Sequence, residues 1–145
     1  MTTNIRSFVR RINRRAKNIE TGMDETRRDV VRAMLEEVVI ATPVDTGTSR
    51  SNWQIGVNAP PSSVLRAYSP GSHLGIGERA NAAATIAAGN AVISSSSAND
   101  KLYIVNNYRS IGFLNDGWSE QAGGNFIGRA FRRAQDRIRR TRLLG

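Results

Sequence analysis

The sequence predicts a single domain of the α+β class, with a long N-terminal helix, a small and mostly antiparallel sheet, an alanine-rich middle helix and an arginine-rich C-terminal helix. Three observations lead to this prediction. Apolar residues recur at steps of three and four over residues 5–39. Residues 77–93 are rich in alanine, the best helix former. Short stretches of partly alternating polarity, typical of strands, lie between turn-forming residues.

The N-terminal helix is expected to stop at Thr42, because Pro43 disfavours a helical conformation in the residue before it. Gly22 interrupts the apolar pattern, and Asp24 is suited to the start of a second helix. The sequence therefore allows either one long bent helix or two helices placed end to end.

A half-buried strand is predicted from Arg50 to Val57, with Trp53, Ile55 and Val57 on one face. The other predicted segments between the helices are a short partner strand at 64–68, a glycine-rich loop from Ser69 to Gly77, a strand at 102–105, a short apolar element at 111–114 and a turn at 115–117.

The C-terminal helix is expected to begin near Asn125 and to carry an apolar stripe made by Ile127, Ala130, Phe131, Ala134 and Ile138. Its other faces are basic. Such a helix can bind phosphate, but it can equally be a solvated or protein-facing helix, and the sequence leaves both open. Candidate contacts to DNA or to an acidic partner are Arg129, Arg132, Arg133, Arg137, Arg139 and Arg140.

The composition limits the kinds of protein this chain can be. Its 145 residues fit one domain with a core of its own, and a net charge of +9 raises nucleic acid, anionic membrane and acidic protein as partners. The absence of cysteine excludes disulfides, thiolate chemistry and zinc fingers. No secretory leader or membrane span is expected, because the chain has no continuous apolar run of sufficient length.

No pattern in the sequence predicts an active site, a metal site or a bound cofactor. The single histidine, His73, lies in the glycine-rich loop, and the sequence has no G-x-S-x-G motif that would place a nucleophilic serine. We therefore expect His73 to be an exposed loop residue. The glycines of that loop lack the Lys-Ser/Thr pair of a phosphate-binding loop. Asp45 and Asp116 are expected to have structural roles in turns. We therefore do not expect an enzyme.

Three stretches follow one another in a distinctive order. A helix ends in ATPVDTG and leads to SNWQ; an alanine-rich helix leads to LYIVNNY; and FLNDGWSEQAGGNFI leads to a closing helix. This order resembles the neck or tail-completion proteins of long-tailed bacteriophages, a family of head–tail connector and minor tail proteins. The resembling parts are residues 30–53, 103–108 and 114–130. Gly123 departs from the family pattern, in which a proline is common after the alanine.

The resemblance implies a virion structural protein, assembled in the host cytoplasm, that forms a ring, commonly a hexamer, at the head–tail junction. DNA would pass through the lumen. The implied partners are further copies of the chain, connector or adaptor proteins on the head side, and the tail terminator or tail tube on the other side. No membrane partner is expected. Expected interface residues are Thr48, Ser49, Arg50, Asn106, Asn107, Tyr108, Trp118, Ser119 and Gln121.

Two alternatives stay open at this point. One is a small arginine-rich protein that binds nucleic acid without partners. The other is a tail terminator that caps the tail tube. Tail completion and tail termination are both carried out by small ring-forming proteins, and the sequence does not separate them.

Overall fold

The computed structural model describes residues 2–44, 47–70 and 77–143 and, within those ranges, the side chains of residues 5–141. The predicted α+β class is confirmed, with a two-stranded antiparallel sheet among the helices. The elements are α1 (Thr2–Ala41), α2 (Thr48–Ser51), β1 (Trp53–Val57), α3 (Glu78–Ser95), β2 (Leu102–Asn106), α4 (Ile111–Asn115) and α5 (Phe126–Leu143).

Helix α1 is one continuous helix of 40 residues that ends at the position predicted from Pro43. Gly22 lies inside this helix and is exposed. A Cβ added at Gly22 would meet no atom within 4 Å apart from the backbone of the helix itself. A glycine in an exposed helix costs only about 1 kcal/mol, so the helix continues through it. Of the two alternatives that the sequence left open, one long helix is therefore the one that forms.

The hydrophobic core is built around the C-terminal half of α1. Leu35, Val38 and Val39 are fully buried there, between α5 on one side and α3 with β1 on the other. The remaining buried members of this cluster are Trp53, Ile55, Ile93, Phe126 and Ala130. The N-terminal half of α1 has no such cover, since every side chain from residue 8 to residue 23 is exposed.

Strand β1 is shorter than predicted, because the chain makes a helical turn before it. Ser51 N–H donates to the carbonyl of Gly47 (3.0 Å) and Asn52 N–H to that of Thr48 (3.1 Å), so Arg50 belongs to α2. The strand begins at Trp53, which pairs with Asn106 of β2. Its buried face is the predicted one at Trp53 and Ile55, while Val57 is half-buried.

The partner strand predicted at residues 64–68 does not form, and β2 pairs with β1 instead. Side-chain amides provide hydrogen-bond partners for the backbone N–H and carbonyl groups of this segment. In a strand, the backbone of a neighbouring strand would provide them. Asn52 accepts from Leu65 N–H (2.7 Å) and donates to the Leu65 carbonyl (2.8 Å). Asn81 makes the same pair of bonds with Ser69, each 2.8 Å long. Short-range polarity cannot reveal such pairing, because the amides come from distant positions.

The alanine-rich helix, the strand at β2 and the start of the last helix are confirmed by α3, β2 and α5. On α5 the structure adds Phe126, which is buried and precedes the predicted stripe. Asn115 holds the first turn of α5 by accepting from Ile127 N–H (3.0 Å). The predicted turn at Asp45 and most of the predicted loop at residues 69–77, including His73, lie outside the described residues.

Candidate interaction surface

The segment that follows α1 returns two side chains to the end of that helix. Arg50 donates through Nη2 to the carbonyls of Ile40 (3.1 Å) and Thr42 (2.9 Å), and through Nη1 to the Glu78 carboxylate (3.1 Å). A helix end leaves carbonyl groups without partners and carries partial negative charge, so a guanidinium there is favourable. Trp53 Nε1 donates to the hydroxyl of Thr42 (2.7 Å) at the same place.

Ser49 and Arg50 therefore point into their own chain and not outwards. Arg50 is only 5% exposed, and Ser49, equally buried, donates to the Pro43 carbonyl (2.8 Å). Ser49 nevertheless also lines the cleft described below, and the expectation that the two residues face a neighbouring subunit stays a prediction. Thr48 is half-buried beside them.

Asn106 and Asn107 bond to backbone groups where β2 ends. Asn106 donates to the Ser49 carbonyl (2.8 Å) and accepts from Tyr108 N–H (3.0 Å). Asn107 donates to the carbonyls of Pro61 (2.8 Å) and Ser63 (3.0 Å), two more groups of the irregular segment after β1. The two amides thus fix the direction in which Tyr108 leaves the sheet.

Four of the predicted interface residues converge on one cleft of about 220 Å³. Gln121 closes one side of it through two hydrogen bonds with the backbone of Val44. Its side chain accepts from the Val44 N–H (3.0 Å) and donates to the Val44 carbonyl (2.6 Å). This pairing ties the loop after α4 to the end of α1. The residues that line the cleft are Pro43, Val44, Ser49, Tyr108, Ser110, Leu114, Ser119 and Gln121.

An aromatic pair stands beside the cleft, formed by one residue of α4 and one of the loop that follows it. Trp118 is 77% exposed, and its ring lies 5.2 Å from that of Phe113 at an angle of 54°, with Phe113 also exposed. Asp116 and Glu120 lie on either side of Trp118 in the chain, and both are exposed. We call Phe113, Asp116, Trp118 and Glu120 the acidic aromatic rim. The sequence prediction named Trp118 and missed Phe113, because it described residues 111–114 only as a short apolar element.

A second uncovered apolar surface lies on residues 5–23 of α1, which we call the N-terminal arm. Its exposed apolar residues have the helical spacing noted in the sequence, yet no element of the described chain covers them. Phe8 and Ile12 form a shallow groove together with Arg11 and Arg15, so the apolar face is bordered by positive charge. The large apolar side chains exposed on the arm are Ile5, Phe8, Val9, Ile12, Ile19 and Met23.

Half of the six arginines named on α5 bond within the chain. Arg129 donates to the carbonyls of Gly123 (3.0 Å) and Gly124, and thereby steadies the loop after the rim. Arg133 and Arg137 form ion pairs with Glu37 and Glu36 of α1, at 3.2 Å and 2.5 Å. The other three have no hydrogen bond or ion pair with the described part of the chain: Arg132, Arg139 and Arg140.

Further arginines have a structural role that the sequence did not reveal. Arg27 and Arg28 of α1 both pair with Asp24 and reach the end of α3, where Arg28 donates to the Ser96 carbonyl and Arg27 to that of Ser97 (2.9 Å). Arginines from elsewhere thus satisfy the ends of both α1 and α3. Part of the arginine bias in the composition is consequently explained by the fold itself.

Within the described ranges, no group of three or more acidic or histidine side chains is placed to hold a metal ion. None of the helices in those ranges is both long enough and apolar enough to cross a membrane. Comparison of the chain with protein-family models, with curated proteins and with solved structures finds no match.

Proposed function

We propose that the chain is a virion structural protein of a tailed bacteriophage, which forms a ring at the head–tail junction and joins the completed tail to the head. Its partners would be further copies of itself, a connector or adaptor protein towards the head, and the tail terminator or tail tube on the opposite side. The motif order that resembles neck and tail-completion proteins is the sequence support for this proposal.

The observation that carries the proposal is that the folded chain leaves two different apolar surfaces uncovered. One is the arm, where Ile5 is 66% and Met23 is 68% exposed; the other is the rim with its adjoining cleft. Exposed apolar surface of this kind marks places where proteins associate. Two unlike surfaces on one chain favour a head-to-tail contact, and such contacts close into rings when the rotation between copies permits.

The proposal is tested by the mass of the purified protein in solution, measured by light scattering at physiological salt with and without duplex DNA. A discrete particle of about six copies whose mass does not depend on DNA is the expected result. Pull-down with tail tubes or connector complexes tests a protein that closes its ring only on a partner. A strict monomer that also binds neither tail nor connector contradicts the proposal.

The runner-up function is that of an arginine-rich protein that binds nucleic acid alone. The observation in its favour is that Arg132, Arg139 and Arg140 are exposed on α5 and have no acidic partner in the described chain. This function predicts a monomer that gains mass only with DNA, through binding that weakens steeply as salt rises. The same light-scattering experiment therefore separates the two functions.

A further inference from the structure

We propose that the N-terminal arm of one copy docks on the acidic aromatic rim and cleft of the next copy, and that this repeated contact builds the ring. The inference rests on the proposed ring-forming function and goes beyond it by naming the two surfaces that meet. Its occupant is a second copy of this chain.

The arm cannot reach the rim of its own chain. The cleft is lined by Pro43 and Val44, which come two and three residues after the last residue of α1. An α-helix rises about 1.5 Å per residue, so Met23 lies about 27 Å, and Ile5 about 54 Å, from the C-terminal end of α1. Because α1 is uninterrupted between these points, the arm is directed away from the cleft, and only another copy can bring the two together.

Each of the two surfaces offers apolar groups that the other can cover. The arm offers Phe8 and Ile12 in a row, and the rim offers two exposed rings beside a cleft of about 220 Å³. An apolar cavity of about 150 Å³ is sufficient to bind benzene, so the cleft has room for the Phe8 ring. Covering such side chains on association removes apolar surface from water, which favours the contact.

The two surfaces also carry opposite charge. Residues 5–23 contain six basic side chains against the single acidic Glu20, and Arg11 and Arg15 border the apolar groove. Asp116 and Glu120 border Trp118, and no basic residue lies between positions 110 and 122. Basic residues flank this stretch at Arg109, which is exposed, and at Arg129, which donates to two carbonyl groups. Such opposite charges steer partners together and set the register of a contact.

Charge also argues against the simplest alternative, in which two arms pair side by side. The apolar residues of the arm are centred near Arg14, and five of the six basic side chains lie between positions 10 and 17. An antiparallel pair centred there would bring ten positive charges into one short stretch. Like charges that face each other are destabilising, so an acidic apolar surface is the better partner.

Cross-linking tests the contact directly, because the chain has no cysteine of its own. We would prepare two variants, Ala16→Cys on the arm and Ser119→Cys at the cleft, one of them carrying a tag that separates the two by mass. Both positions keep the large apolar side chains intact. Mixed and treated with a short bismaleimide, the two variants are expected to give a cross-linked heterodimer as the main product.

The matched control for this experiment is Ala87→Cys, on the exposed face of α3 outside both surfaces. A yield of mixed product no higher than that obtained by mixing Ala16→Cys with Ala87→Cys overturns the docking contact. So does a product in which Ala16→Cys joins mainly to itself, since that reports paired arms. A chain that carries both Ala16→Cys and Ser119→Cys is expected to give a ladder of cross-linked copies that ends at the ring size.

A charge exchange gives an independent test. The double reversals Arg11→Glu/Arg15→Glu and Asp116→Lys/Glu120→Lys are each expected to weaken self-association by about tenfold or more, because two exposed ion pairs turn into repulsions. Mixing the two reversed chains is expected to restore association. If the mixture associates no better than either variant alone, the charges do not face one another and the inference is wrong.

The docking contact and the proposed function fail in different ways. A ring that persists while the arm and the cleft do not cross-link would overturn the contact and leave the neck function standing. Specific arm-to-cleft cross-links in a protein that forms no ring and binds neither tail nor connector would support the contact and contradict the neck function.

Discussion

At the scale of single residues, Arg50 shows how one side chain joins three elements. Its guanidinium is buried and holds the last carbonyls of α1, while Glu78 of α3 approaches from the other side. The stretch from Thr42 to Trp53 is explained by this geometry: the helix stops, the chain turns, and the residues after the turn complete the helix end. The arginine is therefore structural in the first place.

Replacing Arg50 by methionine is expected to lower the free energy of unfolding by about 2–3 kcal/mol, because buried carbonyl groups lose a charged donor. Lysine is expected to recover only part of this loss, since an ammonium group cannot reproduce the planar fork. Urea denaturation followed by circular dichroism measures both. The control is Arg79→Met on the exposed face of α3, where a change within about 0.5 kcal/mol is expected. Equal midpoints for Arg50→Met and Arg79→Met would contradict the capping role.

Asp100 gives a prediction about pH. Its carboxylate accepts from Ser97 N–H (2.7 Å) and from the Asn58 amide (2.8 Å), and these two bonds, the backbone one first, hold the pKa of Asp100 below its ordinary value. A depressed pKa adds stability that is present above the pKa of the unfolded chain and is lost as the pH falls through that of the folded chain. The loss is therefore expected below about pH 4.

The measurement is the unfolding midpoint between pH 6 and pH 3 for the native chain and for Asp100→Asn. The native chain is expected to be the more stable of the two at pH 6, and the difference should shrink towards pH 3. Asp136→Asn is the control, because that carboxylate is exposed, lies outside both proposed surfaces and has no hydrogen bond within the described chain. A difference that stays constant with pH would show that the carboxylate bonds do not stabilise the fold.

At the scale of the elements, two glycines that both lie within helices differ in how much space surrounds them. A Cβ at Gly89 of α3 would lie 2.3 Å from Cδ2 of the fully buried Leu35 and 3.2 Å from Ile55, whereas a Cβ at Gly22 of α1 would meet nothing within 4 Å. Gly89 thus lets α3 approach α1 closely, and Gly22 has no packing role in the folded chain.

Gly89→Ala is expected to destabilise the protein by about 1–2 kcal/mol, because overpacking outweighs the gain of about 1 kcal/mol in helix propensity. Gly22→Ala is expected to raise the helix content and the stability of α1 by up to about 1 kcal/mol, since only the propensity changes. Thermal unfolding and far-ultraviolet circular dichroism of the two variants, side by side, check the signs. A stabilising Gly89→Ala would show that Leu35 can move at little cost.

The elements that sequence could predict are those with a local signal. Pro43 sets the end of α1, the alanines set α3, and the period of the C-terminal segment sets α5. The irregular segment after β1 was not predicted, because long-range hydrogen bonds determine it. The side-chain amides of Asn52 and Asn81 take the place of a partner strand there, and the periodicity of the sequence does not encode these bonds. The candidate interaction surface was predicted in part. Tyr108, Ser119 and Gln121 were named from their motif, while Phe113 and the uncovered arm became visible only once the core was known.

At the scale of the whole molecule, the net charge is +9. The arginines behind it fall into two groups: those that bond within the fold and those that remain free to bind a partner. Arg27, Arg28 and Arg50 satisfy helix ends, and Arg133 and Arg137 bind α5 to α1. Those bonds lower the attraction that these side chains can offer to a phosphate backbone. A ring with DNA in its lumen would therefore depend on arginines that have no partner in the described chain, among them Arg132, Arg139 and Arg140 of α5.

The last prediction separates these two groups by their salt dependence. Replacing Arg132, Arg139 and Arg140 together by glutamine is expected to leave stability nearly unchanged and to reduce the slope of log binding constant against log salt, for duplex DNA, by about one unit per arginine. Replacing Arg133 and Arg137 by glutamine is expected to act mainly on stability, because it removes the pairs to Glu36 and Glu37. Fluorescence anisotropy with a labelled duplex between 50 and 200 mM salt, and urea denaturation, measure the two effects. An unchanged slope in the triple variant would place the DNA contacts elsewhere, and the basic arm would then be the next surface to test.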